Sequence, residues 1–157
     1  MDALEKLSLL FEKFPGIGPR QARRFVQFLL KSSPSLRRDL AIAVQELSQK
    51  VRQCADCQRF HEGASGICAR CKKSETAPTL MIVASDADAD AIERSRTYAG
   101  AYFIIGGTAI LGAEHQSHLR ERELAAFITR RAGAISEIIL AFPANPEGDT
   151  TAGRMKT

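Results

Sequence analysis

Apolar residues recur at helical spacing through the first third of the chain. This spacing predicts three helices, over residues 2–13, 21–30 and 34–52. The first must stop at Pro15 and Gly16, because neither residue continues a helix well. The N-terminal third is therefore expected to be all-helical.

Beyond residue 78 the pattern changes to short apolar runs that alternate with helical spacing. Such alternation is typical of a parallel α/β layer. The predicted strands are 80–83, 102–105 and 137–142, and the predicted helices are 86–96 and 119–131. Residues between these two parts lose periodicity and contain all four cysteines. We therefore expect a multidomain α plus α/β chain, with boundaries at 1–52, 53–76 and 77–157.

Charge is distributed unevenly along the 157 residues, which carry a formal net charge of +4. Residues 1–75 hold 14 Lys and Arg against 8 Asp and Glu, whereas residues 76–157 hold 8 against 10. A basic module beside a mildly acidic one favours an anionic partner for the first. A merely solvated basic surface is the alternative.

Composition excludes several classes of protein. The hydrophobic fraction of 45% is that of a globular chain rather than a disordered one. The longest apolar runs, such as 138–142, fall far short of the roughly 20 residues of a membrane span. Asp2 and Glu5 make the N-terminus unlike a secretory signal. We expect a cytoplasmic location, where cysteines more often bind metal or remain free than form structural disulfides.

A glycine-containing turn separates the first two predicted helices. Gly16 and Gly18 can close a tight turn, after which Pro19 suits the first turn of the next helix. Backbone N–H groups and the helix dipole at such a helix start suit a phosphate. Three arginines follow at once: Arg20, Arg23 and Arg24. The segment thus resembles the helix-hairpin-helix motif, and this resemblance implies that its backbone amides bind DNA phosphates. An ordinary helix–helix turn is the alternative.

The cysteines form two CxxC pairs, Cys54 with Cys57 and Cys68 with Cys71, separated by ten residues. Four thiolates satisfy tetrahedral zinc in a closed site, so the expected role is one structural zinc ion. Disulfides or redox cysteines are the alternatives. His61 lies between the pairs and is predicted to be an exposed loop residue.

Three acids follow the first predicted strand of the α/β part: Asp86, Asp88 and Asp90. Asp86 and Asp88 have the spacing of a D-x-D pair that serves Mg²⁺-dependent phosphoryl transfer. Alternatively, they begin a helix and complement its N-terminal dipole. We favour the second interpretation, because the chain offers no clear set of further metal and phosphoryl ligands.

In chain order, the glycine hairpin, the paired CxxC motifs and an α/β segment ending near Ala152 resemble the RecR family of bacterial recombination mediators. The resemblance covers nearly the whole chain, and its most specific part is this order of a hairpin, a four-cysteine zinc finger and a Toprim-like domain. It implies a non-enzymatic DNA-repair scaffold that binds single- and double-stranded DNA without sequence preference. It also implies partners of the RecO and RecF type, recombinase loading at gaps, and a ring-forming homo-oligomer.

The resemblance extends to individual residues. It implies DNA contacts at Gly16, Gly18, Arg20 and Arg24, and zinc ligation by Cys54, Cys57, Cys68 and Cys71. In catalytic Toprim domains a strand-ending glutamate and a later D-x-D carry the chemistry, and those positions fall here on Ala84 and on Pro143 and Asn145. Glu147 and Asp149 match an acidic stretch of the family that suggests a partner-facing site. Because the family continues past Thr157, we expect either a truncated or naturally short form or a relative that has lost the ring-closing part.

Two other function classes remain open at the level of sequence. One is a Mg²⁺-dependent phosphotransferase or Toprim nuclease that uses Asp86, Asp88, Glu147 and Asp149. The other is a zinc-stapled adaptor that binds only protein.

Overall fold

The chain folds as two units, Met1–Gln49 and Lys50–Thr157, and the computed structural model describes residues 1–156. The first unit consists of three helices: α1 (Ala3–Glu12), α2 (Pro19–Lys31) and α3 (Pro34–Lys50), whose last residue opens the second unit. The second unit begins with β1 (Val51–Gln53), β2 (Phe60–Glu62) and α4 (Ala69–Lys73). It continues with β3 (Thr79–Val83), α5 (Asp86–Ser95), β4 (Ala101–Ile104), α6 (Glu121–Arg130), β5 (Glu137–Ala141) and α7 (Pro146–Met155). Within residues 1–156, no helix combines the length and hydrophobicity needed to cross a membrane.

A three-stranded parallel sheet of order β4-β3-β5 forms the centre of the second unit. Leu80 pairs with Ala101 on one side and with Ile138 on the other. From Leu80 to Val83 the central strand β3 is apolar and buried, because helices cover both faces of a parallel sheet. The expected fold class, helices followed by a cysteine-rich element and a parallel α/β layer, is confirmed.

The two faces of the sheet bury separate cores. Leu80, Ile82 and Phe103 pack with Phe127 of α6 on one face, where the rings of Phe103 and Phe127 meet edge to face at 5.7 Å. Met81, Val83, Tyr102 and Ile104 pack with Ala89 of α5 on the other. This alternation is the period of two that a strand imposes on its side chains.

In the first unit, α1 and α2 pack together through small and aromatic side chains. Ala22 and Val26 are buried, and the rings of Phe11 and Phe25 meet edge to face at 5.5 Å. The third helix forms as its spacing predicts, but none of its residues is buried. Its exposed apolar side chains are Leu36, Leu40, Ile42, Val44 and Leu47. Helical periodicity therefore identified α3 correctly without identifying a partner for its apolar stripe.

The sequence pattern missed α7, and this helix places tight constraints on Gly148. A Cβ atom there would overlap the carbonyl oxygen of Pro143 and lie 2.9 Å from its carbonyl carbon. Asn145 caps the helix by accepting a hydrogen bond from the Gly148 N–H at 2.8 Å. The turn between β5 and α7 thus closes only because residue 148 has no side chain.

We expect Gly148→Ala to lower the free energy of unfolding by about 1–3 kcal/mol, because the added methyl group is forced against backbone. Gly153→Ala is the matched control on the same helix. Among the described residues, no atom other than those of the adjacent residues and the helix's own backbone lies within 4 Å of a Cβ at Gly153, so this change should stabilise the helix by about 0.5–1 kcal/mol. Urea unfolding followed by circular dichroism measures both. Equal effects of the two substitutions would contradict the packing described for this turn.

Candidate functional site

The turn between α1 and α2 leaves backbone donors free at the start of α2. Gly16 adopts a left-handed φ of +78°, whereas Gly18 is extended and caps α2 without a side-chain hydrogen bond. Of the two glycines, only Gly16 is therefore required by backbone geometry. Among the described residues, the N–H groups of Gly18, Arg20 and Gln21 have no hydrogen-bond acceptor. These donors, at the positive end of the helix, form a cradle of the kind that binds phosphate.

Three exposed arginines follow this cradle on α2. Arg20 and Arg24 are four residues apart, so they lie on one face of the helix. Neither makes an ion pair with another described residue. Arg23 instead lines a groove of about 420 Å³ that also contains Asp2, Glu5 and Glu12 of α1. Arg20 and Arg24 are thus the better placed pair for an anion.

The four cysteines converge on one point of the second unit. All four are at most 3% exposed, and their sulfur atoms lie within 4.8 Å of one another. The Sγ atoms of Cys54 and Cys71 are 3.8 Å apart, and those of Cys57 and Cys68 are 3.7 Å apart. Four sulfurs held tetrahedrally about 2.3 Å from zinc are separated by about 3.8 Å. The buried cluster therefore fits a structural zinc site in donor chemistry and in spacing.

Hydrogen bonds from backbone and side chains reach the sulfur atoms of the cluster. The N–H of Cys68 donates to Sγ of Cys54 at 3.3 Å, and the N–H of Cys71 donates to Sγ of Cys68 at 3.4 Å. Hydrogen bonds from the Cys57 and Cys71 side chains lower the pKa of the Cys68 thiol. The bond to Cys68 together with burial raises the pKa of Cys57. A cation at the centre would remove this competition by stabilising all four thiolates.

The cysteine element, residues 51–74, covers the outer edge of strand β4. The carbonyl of Cys57 accepts a hydrogen bond from the Ile104 N–H at 2.9 Å. Arg70 of α4 donates to the carbonyl of Gly100 at 3.2 Å and lies over the Tyr102 ring. Because an open strand edge pairs readily with other chains, this cover protects one of the two edges of the sheet.

Ion pairs fasten the cysteine element to α5 on one face of the sheet. Arg59 is 14% exposed and donates to both carboxylate oxygens of Glu93, at 3.1 and 2.8 Å. Arg70 lies 3.3 Å from the same carboxylate, and Asp90 accepts a further bond from Arg59. The hydrogen bond from Arg59 lowers the pKa of Glu93.

A second set of ion pairs fastens the element to α6 on the opposite face. Asp56, between the first two cysteines, pairs with Arg130 and Arg131 at 3.1 and 3.2 Å. Arg131 also donates to the carbonyl of Ser74 at 3.0 Å and lies over the ring of Phe127. The cysteine element therefore contacts α5 on one face of the sheet, α6 on the other face and the edge of strand β4 between them.

Asp86 and Asp88 are occupied by structural hydrogen bonds. Asp86 accepts from the Phe60 N–H at 2.9 Å, which ties the start of α5 to β2. Asp88 and Ser85 form a reciprocal capping box at the same helix start. The prediction that His61 is an exposed loop residue is wrong, because His61 lies half-buried on β2. Its pairing with Arg52 of β1 makes it part of a two-stranded sheet within the cysteine element.

The ends of the parallel strands carry few groups suited to catalysis. Ala84 follows β3, and Pro143 and Asn145 follow β5, where Asn145 serves as the cap of α7. Glu147 and Asp149 lie in the first turn of α7, where acids complement the helix dipole. Within residues 1–156, the four cysteines form the one group of three or more His, Cys, Asp or Glu side chains able to share a metal.

Sequence reasoning missed the residues that join the cysteine element to the sheet, namely Asp56, Arg59, Arg70, Glu93 and Arg131. Their partners lie 23 to 75 positions away in the chain. No local pattern marks such pairs. The one available signal was the presence of charged residues next to the cysteines.

We expect Glu93→Gln to lower the free energy of unfolding by about 1–3 kcal/mol, because it weakens two charged hydrogen bonds from the half-buried Arg59. Asp90→Asn is the control. Its side chain is 57% exposed against 26% for Glu93, so the loss should stay below about 1 kcal/mol.

The Arg59–Glu93 ion pair also predicts how the stability of the protein depends on pH. Because Arg59 lowers the pKa of Glu93 in the folded protein, ionised Glu93 contributes its full stability above the unfolded pKa of about 4.3. That contribution is lost as the pH falls through the lower folded value. Below about pH 4.3, the stability of Glu93→Gln should therefore fall less steeply than that of the wild type, as measured by urea unfolding across the acid range. Parallel curves would contradict the assignment.

Comparison with known proteins agrees with this architecture. A model of the Toprim domain matches residues 78–157. Recombination protein RecR of Prochlorococcus marinus (strain MIT 9312) is 39% identical over 150 residues, which cover 94% of this chain and 73% of that protein. Recombination protein RecR of Ruegeria sp. (strain TM1040) is 36% identical over 151 residues, covering 95% and 74%. The relative from Frankia casuarinae is 36% identical over 142 residues, covering 89% and 69%. The glycine hairpin, the four-cysteine cluster and the Toprim sheet thus occur in a chain that belongs to the RecR family of recombination proteins.

Proposed function

We propose that this protein is a non-catalytic DNA-binding mediator of recombination and repair, and that the α1–α2 hairpin is its phosphate-binding site. The observation that carries the proposal is the row of N–H groups without an acceptor among the described residues at the start of α2, followed by Arg20 and Arg24, which make no ion pair within residues 1–156. Backbone donors and arginines bind phosphates of any sequence. Gly16, Gly18 and Arg23 complete the proposed interface.

The absence of catalysis is proposed from the strand ends of the Toprim domain. Ala84, Pro143 and Asn145 offer no carboxylate for general acid–base chemistry or for Mg²⁺. Asp86 and Asp88 already accept structural hydrogen bonds. A Mg²⁺-dependent phosphotransferase or nuclease would need these two aspartates to be free. Mg²⁺-dependent turnover of DNA or a phosphoester that Asp86→Ala abolishes would contradict the proposal.

Partners are proposed from the family likeness together with two exposed surfaces. RecO- and RecF-type proteins are the proposed partners, and the exposed Asp149 with the half-buried Glu147 is a candidate contact. Homo-oligomerisation is proposed as well. The apolar stripe of α3 supports it, because soluble proteins rarely leave a continuous apolar helix face uncovered.

We also propose that Cys54, Cys57, Cys68 and Cys71 bind one structural zinc ion. When bound, zinc would supply no chemistry, since four thiolates leave no open coordination position for water. The cysteines would hold β1, β2 and α4 together around a segment with little apolar core. This binding would in turn keep Cys57 and Arg70 against the edge of β4.

Replacing Arg20 and Arg24 together with Ala should weaken binding to single-stranded and duplex DNA alike, by about ten- to hundredfold. Because each lost phosphate contact releases fewer counterions, the slope of log affinity against log salt should shrink by about 1 per contact. Fluorescence anisotropy of labelled DNA over a salt series measures both quantities.

Arg94→Ala with Arg122→Ala is the charge-matched control. It also removes two exposed positive charges, but neither lies on the hairpin. We expect it to change affinity by less than about threefold, the effect of general charge alone. If the two double variants lose affinity equally, the hairpin is not the binding site. If wild-type protein binds no DNA at moderate salt, a protein-binding adaptor replaces the proposed function.

Removing zinc should destabilise the second unit and uncover the edge of β4. We expect Cys68→Ser to lower the zinc content measured by mass spectrometry and the melting temperature by at least about 5 °C, a loss of about 1–2 kcal/mol. Light scattering should show aggregation through the exposed strand edge. Ala69→Ser is the control, because it adds the same hydroxyl to an exposed neighbour. A metal-free protein with unchanged melting would overturn the zinc proposal.

A further inference from the structure

The outer face of α2 presents an aromatic ring to solvent among cationic side chains. Phe28 is 61% exposed and follows Arg24 by one helical turn. It lines a groove of about 370 Å³ with Arg23, Arg24, Gln27 and Lys31. Phe28 is the one apolar residue of that lining, and no acidic residue takes part in it. The whole of α2 contains four basic residues and no acid.

The cations around this ring are not neutralised by neighbours. Among the described residues, Arg23, Arg24 and Lys31 make no ion pair, and Arg24 makes only a long hydrogen bond of 3.4 Å to Gln21. The acids of α1 line the adjoining groove described above, which shares Arg23 and Gln27 but not Phe28. Arg24 and Lys31 are therefore the cations that lie beside the open aromatic face without an acidic residue in the same described groove lining.

These features together select the chemistry of the ligand. An aromatic face stacks with a nucleobase of any identity, while flanking cations attract the phosphates on either side. In a duplex the bases already stack on one another and are unavailable to an outside ring. We propose that Phe28 stacks on an unpaired base of single-stranded DNA, with Arg24 and Lys31 contacting its flanking phosphates. This inference rests on the proposed function, and it assigns to α2 a selectivity for single strands that phosphate contacts alone do not provide.

A protein partner or a second copy of the chain is the competing occupant. Protein-binding surfaces place apolar residues beside one another, as the exposed leucines of α3 do. Phe28 has only polar and cationic neighbours in its groove. Charge complementarity therefore favours nucleic acid at α2.

The absence of tryptophan from the chain makes a direct test possible. Phe28→Trp introduces a single indole whose fluorescence reports stacking with a base. We expect strong quenching by an oligo-dT single strand and little quenching by a duplex of equal length. Phe60→Trp is the control, because Phe60 is similarly exposed at 56% but lies in the second unit; it should show little quenching with either DNA.

Affinities of further variants measure how much the ring contributes. Phe28→Ala should weaken binding to the single strand by about five- to hundredfold and change duplex binding by less than twofold, whereas Phe28→Tyr should retain wild-type affinity. Circular dichroism and solution mass are measured on each variant. Because Phe28 is largely exposed, fold and mass should stay those of the wild type.

Each negative result of these measurements would contradict a different part of the proposal. If Phe28→Trp is not quenched, or Phe28→Ala weakens single-strand and duplex binding equally, stacking is wrong while the hairpin proposal stands on its arginine variants. A changed solution mass of Phe28→Ala would assign the ring to a protein contact instead. If the wild type binds neither DNA, both proposals fail together.

Discussion

The second unit depends above all on the convergence of four buried cysteines at one edge of its sheet. The three-stranded sheet has two edges, and β4 would be open if the Cys57 carbonyl did not accept the Ile104 N–H. Segments as short as β1, β2 and α4 cannot hold such a position through their own apolar contacts. Bringing the four sulfurs together closes the element, and ion pairs through Arg59 and Asp56 then fix it to a helix on each face of the sheet.

This arrangement gives the cysteine cluster a role larger than the stability of a small finger. Loosening the sulfurs would release an edge strand, the bidentate pair at Glu93 and the Asp56 contacts at the end of α6 in one event. The unit is therefore expected to respond to loss of the cluster as a whole rather than locally. The strand ends, by contrast, carry Ala84, Pro143 and Asn145, none of which has a carboxylate.

The two units differ in how they use their arginines. The arginines of α2 in the first unit are exposed, whereas Arg59 and Arg131 of the second unit are largely covered and form ion pairs. A glycine turn and the cap at Gly18 leave backbone donors free, and α2 concentrates cations around a largely exposed phenylalanine. Burying such groups without partners would be costly, so they remain in contact with solvent, where the proposed DNA can reach them. The contacts that stabilise the second unit and the surface proposed to bind DNA thus lie in separate parts of the chain.

Local patterns in the sequence determined which segments become helices and strands and which residues could bind zinc, because periodicity and CxxC spacing act over a few residues. They did not reveal α7, whose residues 146–155 lack an apolar stripe and begin through the Asn145 cap and the tight Gly148 turn. They showed neither that Asp86 accepts a hydrogen bond from Phe60 nor that Phe28 is exposed to solvent. The Asp86 bond depends on a partner 26 residues away, and the exposure of Phe28 depends on which face of α2 is covered. Only tertiary packing decides these two outcomes.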